Sequence, residues 1–276
     1  MPGQSSGPSA TVPLRVAGLA TPLSLYLHGP ADRVVSRTLR ETGMWEPFES
    51  HLVLQLLAPG SVFVDAGANI GYFTLLAASA VGESGAVFAF EPEPENFRLL
   101  EASVAFNGLG DRVNAIMAGL ADRETEGRLY LSRDNLGDHQ IFPDEPGRDS
   151  VLIRLLRGSD YFSGQVDRID LLKVDVQGAE TAVINGLMPF LQSQAGATRI
   201  LLELTPHSLR SAGSSGRELI ELLATLDERF WIVDHLEHRL VPSTAPALAQ
   251  WCDGVDSVPG DRGFMNILVG RGLAAP

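Results

Sequence analysis

Short apolar runs rich in β-branched and aromatic residues recur along the 276-residue chain, separated by longer amphipathic stretches. The runs at 61–65 (SVFVD), 86–91 (AVFAFE), 112–117 (RVNAIM), 170–175 (DLLKVD), 199–204 (RILLEL), 230–234 (FWIVD) and 264–269 (FMNILV) predict about seven strands. Helical periodicity falls between them, at about 70–81, 94–107, 179–192 and 215–228. Strands alternating with helices need crossover connections, so the pattern predicts an α/β domain built on a parallel sheet. Ahead of it, residues 31–57 read as two helices separated by Gly43 and Pro47. From Gly119 to Gln165 the alternation breaks into a stretch rich in charge, Gly and Pro, with strand-like pieces at 127–132 and 150–155. An insertion over the rim of a sheet is where such a protein recognises its substrate.

These readings divide the chain into a flexible arm at 1–13 (MPGQSSGPSATVP), a helical and strand cap at 14–58, and one domain at 59–276 carrying the insertion at about 119–165. The arm lacks the basic start and apolar core of a signal peptide, and no run approaches the ~20 apolar residues that span a bilayer. A soluble, cytoplasmic protein without a membrane partner is expected. The net charge of −13 opposes a polyanion as main partner, so no nucleic acid is expected. Cys252 is the one cysteine, which precludes an intrachain disulfide and is read as a small apolar side chain. The oligomeric state stays open, a homo-oligomer included.

Candidate chemistry begins at FVDAGANIGYFT (63–74). A strand ending in Asp65, then a turn with Gly67, Asn69 and Gly71, then a helix, predicts free backbone N–H groups at the carboxyl edge of the sheet, where open α/β proteins bind ligands. Glu91 follows 20 residues after Gly71, at the end of the next strand, where a carboxylate meets ribose hydroxyls. The turn lacks the middle glycine of a dinucleotide fingerprint, and no phosphate-binding P-loop motif occurs. S-adenosylmethionine has a ribose, a sulfonium and an amino-acid end but no phosphate, and it suits this acidic rim. Glu91 would take the ribose and Asp65 the cationic end. A nicotinamide-dependent oxidoreductase and a non-catalytic nucleoside-binding protein are the alternatives.

The stretches FVDAGANIGYFT, FEPEPENF, IDLLKVDVQGAE, LLELTPHSL and NILV together resemble the FkbM-type methyltransferases, a branch of the class I S-adenosylmethionine-dependent superfamily, over roughly 45–270. The resemblance implies a Rossmann-like, doubly wound, mostly parallel seven-stranded sheet with the last strand reversed. It also implies methyl transfer, usually to oxygen, on sugars, polyketides or other secondary metabolites. Gln177 departs from the family, which more often has Glu there.

Methyl transfer from a sulfonium is an in-line displacement, so the protein positions an acceptor and accepts its proton. A small-molecule hydroxyl acceptor therefore calls for a base, for which His139, Asp175 and His207 are the candidates. Asp175 ends a strand beside a glycine turn, so it is also a donor contact together with Asp65, Gly67, Asn69, Gly71 and Glu91. Asn135, Asp138 and His139 in the insertion, with Glu203, are the expected acceptor contacts, and Glu180 follows Gly178 on a helix. Asp175 and Glu203 could supply oxygen ligands to Mg²⁺, but no short cluster of His, Cys and carboxylates is visible, so no metal is expected.

Overall fold

Strand pairing in the computed structural model, which describes residues 11–19, 21–143, 147–194, 196–227 and 229–273, gathers eight strands into one twisted sheet. The chain enters through a short hairpin, β1 (Thr11–Pro13) and β2 (Ser24–Tyr26), followed by α1 (Val35–Thr42) and α2 (Pro47–Leu56). The first long units are β3 (Val62–Ala66), α3 (Tyr72–Val81), β4 (Ala86–Phe90), α4 (Pro94–Phe106) and β5 (Val113–Ile116). The insertion supplies β6 (Gly119–Ala121), β7 (Thr125–Tyr130), β8 (Ser150–Arg157) and α5 (Gly158–Phe162). Then come β9 (Leu171–Val174), α6 (Glu180–Ser193), β10 (Arg199–Leu204), α7 (Pro206–Ser211), α8 (Gly216–Ala224), β11 (Phe230–Asp234), β12 (Arg239–Ser243), α9 (Ala245–Ser257) and β13 (Met265–Val269).

The order across the main sheet is β12-β11-β13-β10-β9-β3-β4-β5. Strands β5, β4, β3, β9 and β10 run parallel, and β13 inserts antiparallel between β10 and β11. This is the class I methyltransferase fold with its reversed final strand. One strand was not expected: β12 pairs antiparallel with β11 at the sheet's edge. Its sequence RLVPS contains Pro242, which an edge strand tolerates because one side of it needs no ladder donor.

Alternate residues of each strand enter opposite cores, which is why the strands read as continuous apolar runs. Phe63, Val87, Leu171 and Leu268 pack with α2, α3 and α4, whereas Val64, Phe88, Leu172 and Ile267 pack with α6, α8 and α9. Leu14, Leu25, Leu27, Leu39 and Leu52 belong to the first of these cores, so the segment expected as a cap at 14–58 is continuous with the domain on that face. Of the arm expected at 1–13, Thr11–Pro13 is a strand. Residues 1–10 lie outside the described residues, and Thr11–Pro13 is tied to β2 by strand pairing.

The insertion is more regular than its composition suggests. Strands β6, β8 and β7 form a separate three-stranded sheet, and the chain between β7 and β8 turns back over the carboxyl edge of the main sheet. Arg33 and Asn96 hold it there, and Arg148 braces it from within. Arg33 N–H donates to the Asp134 carbonyl at 2.8 Å, Asn96 Nδ2 donates to the Leu136 carbonyl at 3.2 Å, and Arg148 donates to the carbonyls of Leu131 and Asp138 at 3.0 and 2.9 Å. Of the segment 132–145 expected over the acceptor, residues 144 and 145 lie outside the described residues.

Candidate active site

The carboxyl ends of β3, β9 and β10 floor a cleft of about 260 Å³. It meets a smaller cavity of about 70 Å³ beneath the insertion. Gly67, Asn69, Gly137, Asp175 and Gln177 line both. Asp65, Lys173, Glu203, Glu46, Trp45, Tyr72, Asn135 and Asp138 line the larger one, while Glu91, Asn96, Leu120, His139, Ile141 and Val176 line the smaller.

The turn after β3 closes largely on itself. Gly67 and Ala68 N–H groups both donate to the Phe90 carbonyl at 3.0 Å, and Gly71 N–H donates to Ala68 at 2.9 Å. Asn69 N–H donates to Glu91 Oε2 at 2.7 Å. The N–H groups of Gly67, Ala68, Asn69 and Gly71, expected to be free, are thus used internally, because the turn folds onto the end of β4. Gly67 is there for close approach. A Cβ on it would lie 1.9 Å from the Asp175 carbonyl oxygen, and its φ of +86° suits glycine. Gly71 begins α3 and lines neither cavity; a Cβ there would meet Leu100 at 2.6 Å.

Acidic groups dominate what remains. Asp65 is buried, accepts from Thr74 Oγ1 at 2.7 Å through Oδ2, and keeps Oδ1 without a hydrogen-bond partner. Asn69 Oδ1 is likewise buried and unpartnered. Glu91 is fixed by Asn69 N–H and by Glu93 N–H at 2.9 Å, and burial pushes its carboxyl up to about 7 despite those donors. Lys173 projects from β9 with Nζ 3.0 Å from Asp175 Oδ2 and 4.7 Å from the Phe73 ring centroid. Burial alone would depress it, but Asp175, Asp65 and Glu46 hold it above the ordinary lysine value, so it stays protonated. Gln177 Nε2 donates to Asp175 Oδ1 at 3.2 Å and to Glu203 Oε2 at 2.6 Å. Glu203 is held well above the usual carboxylate range by burial and by its neighbours Asp175, Glu46 and Glu180.

The expected residues therefore divide. Asp65, Gly67, Asn69, Asp175, Glu203, Asn135 and Asp138 meet at the larger cleft, and Glu91 and His139 meet at the smaller cavity. His139 does not fit the base role expected of it. Its Nδ1 accepts the Ser132 N–H at 3.0 Å, which leaves Nε2 as the protonated nitrogen of the neutral ring, and burial with nearby Arg148 pushes its pKa down to about 4. His207, on α7, lines neither cavity, because the turn at Thr205 carries the chain away from the cleft. Glu180 is buried with both oxygens accepting from Gly178 N–H at 3.1 and 3.0 Å, so it closes the turn before α6. Cys252 is buried and burial pushes its thiol up to about 12, consistent with a packing role.

Sequence reasoning missed Glu46, Trp45, Tyr72 and Lys173. A lysine inside the otherwise apolar strand LLKV was a visible signal, since a buried cation needs partners. Glu46 gave none beyond its place before Pro47. Among the described residues, no group of three or more His, Cys, Asp or Glu is arranged to hold a metal ion, and no described helix is long and apolar enough to cross a membrane.

The strand order, the reversed β13 and the acidic cleft over the carboxyl ends define a class I methyltransferase fold. Residues 65–230 match the Methyltransferase FkbM domain model, and the chain belongs to that family. Methyltransferase sdnD of Sordaria araneosa is 33% identical over 175 residues, covering 51% of this chain and 66% of sdnD. The AMB antimetabolite synthetase AmbE of Pseudomonas aeruginosa is 30% identical over 200 residues, which is 59% of this chain but 9% of AmbE. Hexuronic acid methyltransferase AglP of Haloferax volcanii is 27% identical over 194 residues, covering 66% of this chain and 75% of AglP. Among solved structures, a SAM-dependent O-methyltransferase from Thermotoga maritima aligns with a TM-score of 0.42 and 17% identity, over 98% of this chain and 80% of that one.

Proposed function

We propose that the chain is an S-adenosylmethionine-dependent methyltransferase that methylates a hydroxyl on a small molecule of the sugar or secondary-metabolite class. One observation carries the reading: Asp65 and Glu91 end adjacent strands at two adjoining cavities, and the turn between them spends the Gly67, Ala68, Asn69 and Gly71 N–H groups internally. Such a site suits a cationic nucleoside and repels a pyrophosphate. Donor residues fit this use. Asp65 Oδ1 is a buried acceptor without a partner, suited to an ammonium group. Glu91 is fixed to accept from ribose hydroxyls, and Leu120, Ile141 and Val176 give apolar walls for a base. Gly67 lets the backbone approach closely, Asn69 and Asp175 line the junction of the cavities, and Gly71 starts the helix behind them.

Bound S-adenosylmethionine supplies an electrophilic methyl on a cationic sulfur. The chain's own part is to hold the acceptor and its proton. Glu203, Asn135 and Asp138 line the larger cleft beside Trp45, whose ring suits the apolar face of a sugar or a ring system. Lys173 stays protonated and balances part of the carboxylate charge. His139, protonated on Nε2, serves as a donor on the nucleoside side. The name of AglP, a hexuronic acid methyltransferase, supports an acceptor of the sugar class.

Calorimetric titration with S-adenosylhomocysteine and with NAD tests the donor, and binding of NAD alone overturns the reading. Incubation with S-adenosylmethionine and a panel of hexuronic acids, neutral hexoses and phenols, read as methylated product by mass spectrometry, tests the acceptor class.

A further inference from the structure

Four non-glycine residues among those described have positive φ: Glu46 (42°), Asn69 (50°), Gln177 (48°) and His238 (50°). Three of them, Glu46, Asn69 and Gln177, line the same cleft. Left-handed backbone at a non-glycine residue is held against a steric cost, and such strain gathers at sites that need a side chain aimed. Glu46 is the most constrained of the three, since Pro47 follows it and narrows its backbone choices further. The first turn of α2, with Ser50 N–H donating to the Glu46 carbonyl at 2.8 Å, keeps it in place.

Its carboxylate differs from every other one on the cleft. Asp65 is tied to Thr74, Asp175 to Lys173 and Gln177, Glu203 to Gln177, Asp138 to Gln140, and Glu91, at the adjoining cavity, to two peptide N–H groups. No described residue donates a hydrogen bond to the Glu46 carboxylate, which is half-buried at the cleft wall beside Trp45 and Tyr72. A carboxylate held ready by strained backbone and left without a partner is shaped to meet a ligand.

We infer that Glu46 is the base that takes the proton of the acceptor hydroxyl, an inference that rests on the methyltransferase reading above. As the oxygen–carbon bond to the acceptor forms and the carbon–sulfur bond breaks, the hydroxyl proton passes to Glu46. The products are the methyl ether, a neutral thioether and a neutral carboxylic acid, so charge and atoms balance. The neighbouring groups fit the task. Lys173 on β9 faces Glu46 and stays protonated, so it cannot compete as base. Asp175 beyond β9, Glu203 on β10, Glu49 on α2, Asp65 on β3 and Tyr72 on α3 surround it, with Arg262 across the cleft. Burial pushes the Glu46 carboxyl up to about 8, opposed by Lys173 and reinforced by Asp175 and Glu49. A base works best with a pKa near the operating pH.

A cationic sulfur beside Glu46 lowers its pKa, whereas the neutral sulfur of the product does not. Calorimetry in buffers of different ionisation enthalpy at pH 7.5 should therefore find more protons released on binding S-adenosylmethionine than on binding S-adenosylhomocysteine. In Glu46→Gln the difference should vanish while S-adenosylhomocysteine affinity stays within about threefold, which also shows that the variant is folded. With the panel acceptor that is methylated fastest, Glu46→Gln should lower kcat at least about a hundredfold with little change in KM. Glu46→Asp, which sets the carboxylate back by one methylene, should recover part of that loss. An unchanged proton difference or an unchanged kcat in Glu46→Gln overturns the assignment. Failure of both nucleosides to bind, or binding without transfer to any panel member, instead overturns the underlying reading and the inference with it.

Discussion

Gln177 Nε2 donates to Glu203 Oε2 at 2.6 Å, and the same nitrogen lies 3.2 Å from Asp175 Oδ1. A neutral amide thus stands between two carboxylates. Gln177→Glu removes the donor and adds a like charge, leaving Glu203 without its closest partner. The expected cost is about 1–3 kcal/mol at pH 8. The new carboxyl would have a raised folded pKa, so its stabilising share is lost as pH rises, and the penalty should shrink at pH 5.5. Urea unfolding at the two pH values checks this, and equal penalties would place the new acid in solvent.

Loss of either strand-end carboxylate should be felt in donor binding. Asp65→Ala removes the buried Oδ1 acceptor, and Glu91→Ala removes the acceptor fixed for a ribose. Each should weaken S-adenosylhomocysteine binding by about 1.5–3 kcal/mol, the range for hydrogen bonds to a charged group. Titration calorimetry of the folded variants decides it, and wild-type affinity in either variant removes that carboxylate from the site.

His139→Ala should separate an orienting contact from a base. The ring lines the cavity that holds Glu91, and Nδ1 already accepts the Ser132 N–H. The variant should bind S-adenosylhomocysteine about 3- to 30-fold more weakly, as expected for one lost hydrogen bond worth ~1–2 kcal/mol. Its kcat at saturating donor and acceptor should stay within about tenfold of wild type, short of the ~10²–10⁴ that a general base supplies. A larger fall in kcat would restore His139 as a base.

Stability of the ligand-free chain should fall between pH 6.5 and 8. Glu91 and Glu180 titrate near 7 and Glu46 near 8, all raised by burial from about 4.5. A raised folded pKa means the folded state binds more protons, so each contribution is complete below about 4.5 and is lost as pH rises through the folded value. His139, lowered to about 4, acts oppositely, but only below its ordinary value of 6.5. Melting midpoints across this window should decline, and S-adenosylmethionine should blunt the decline more than S-adenosylhomocysteine, because its cation favours the ionised carboxylates. A flat profile would contradict the buried carboxyls.

Chelation should leave activity largely intact. Asp175 and Glu203 are engaged by Lys173 and Gln177, and displacing those partners would cost a metal part of its binding. Transfer assays with and without EDTA test this. Complete loss that Mg²⁺ restores would make the two carboxylates ligands.

The sequence by itself determined the order of elements and the strand-end residues Asp65, Gly67 and Glu91. Strands buried on both faces must be apolar throughout, so SVFVD, AVFAFE and DLLKVD were legible, and Asp65, Gly67 and Glu91 sit at fixed offsets from strand ends because β3 and β4 are parallel neighbours. What lay outside those periodicities was decided only by the tertiary structure. Strand β12 escaped notice because Pro242 is acceptable only at an edge, and edge position is a property of the assembled sheet. The sheet within the insertion depends on β6 pairing with β8 at a separation of 36 residues, a contact that local pattern does not encode. Glu46 meets Lys173 across more than 120 residues of chain. The direction of its carboxylate follows from a left-handed backbone that the packing of α2 imposes, and His139 Nδ1 is occupied by a single N–H from Ser132. Charge and hydrogen-bond accounts of this kind depend on which side chains arrive together, and that is set by the fold rather than by spacing along the chain.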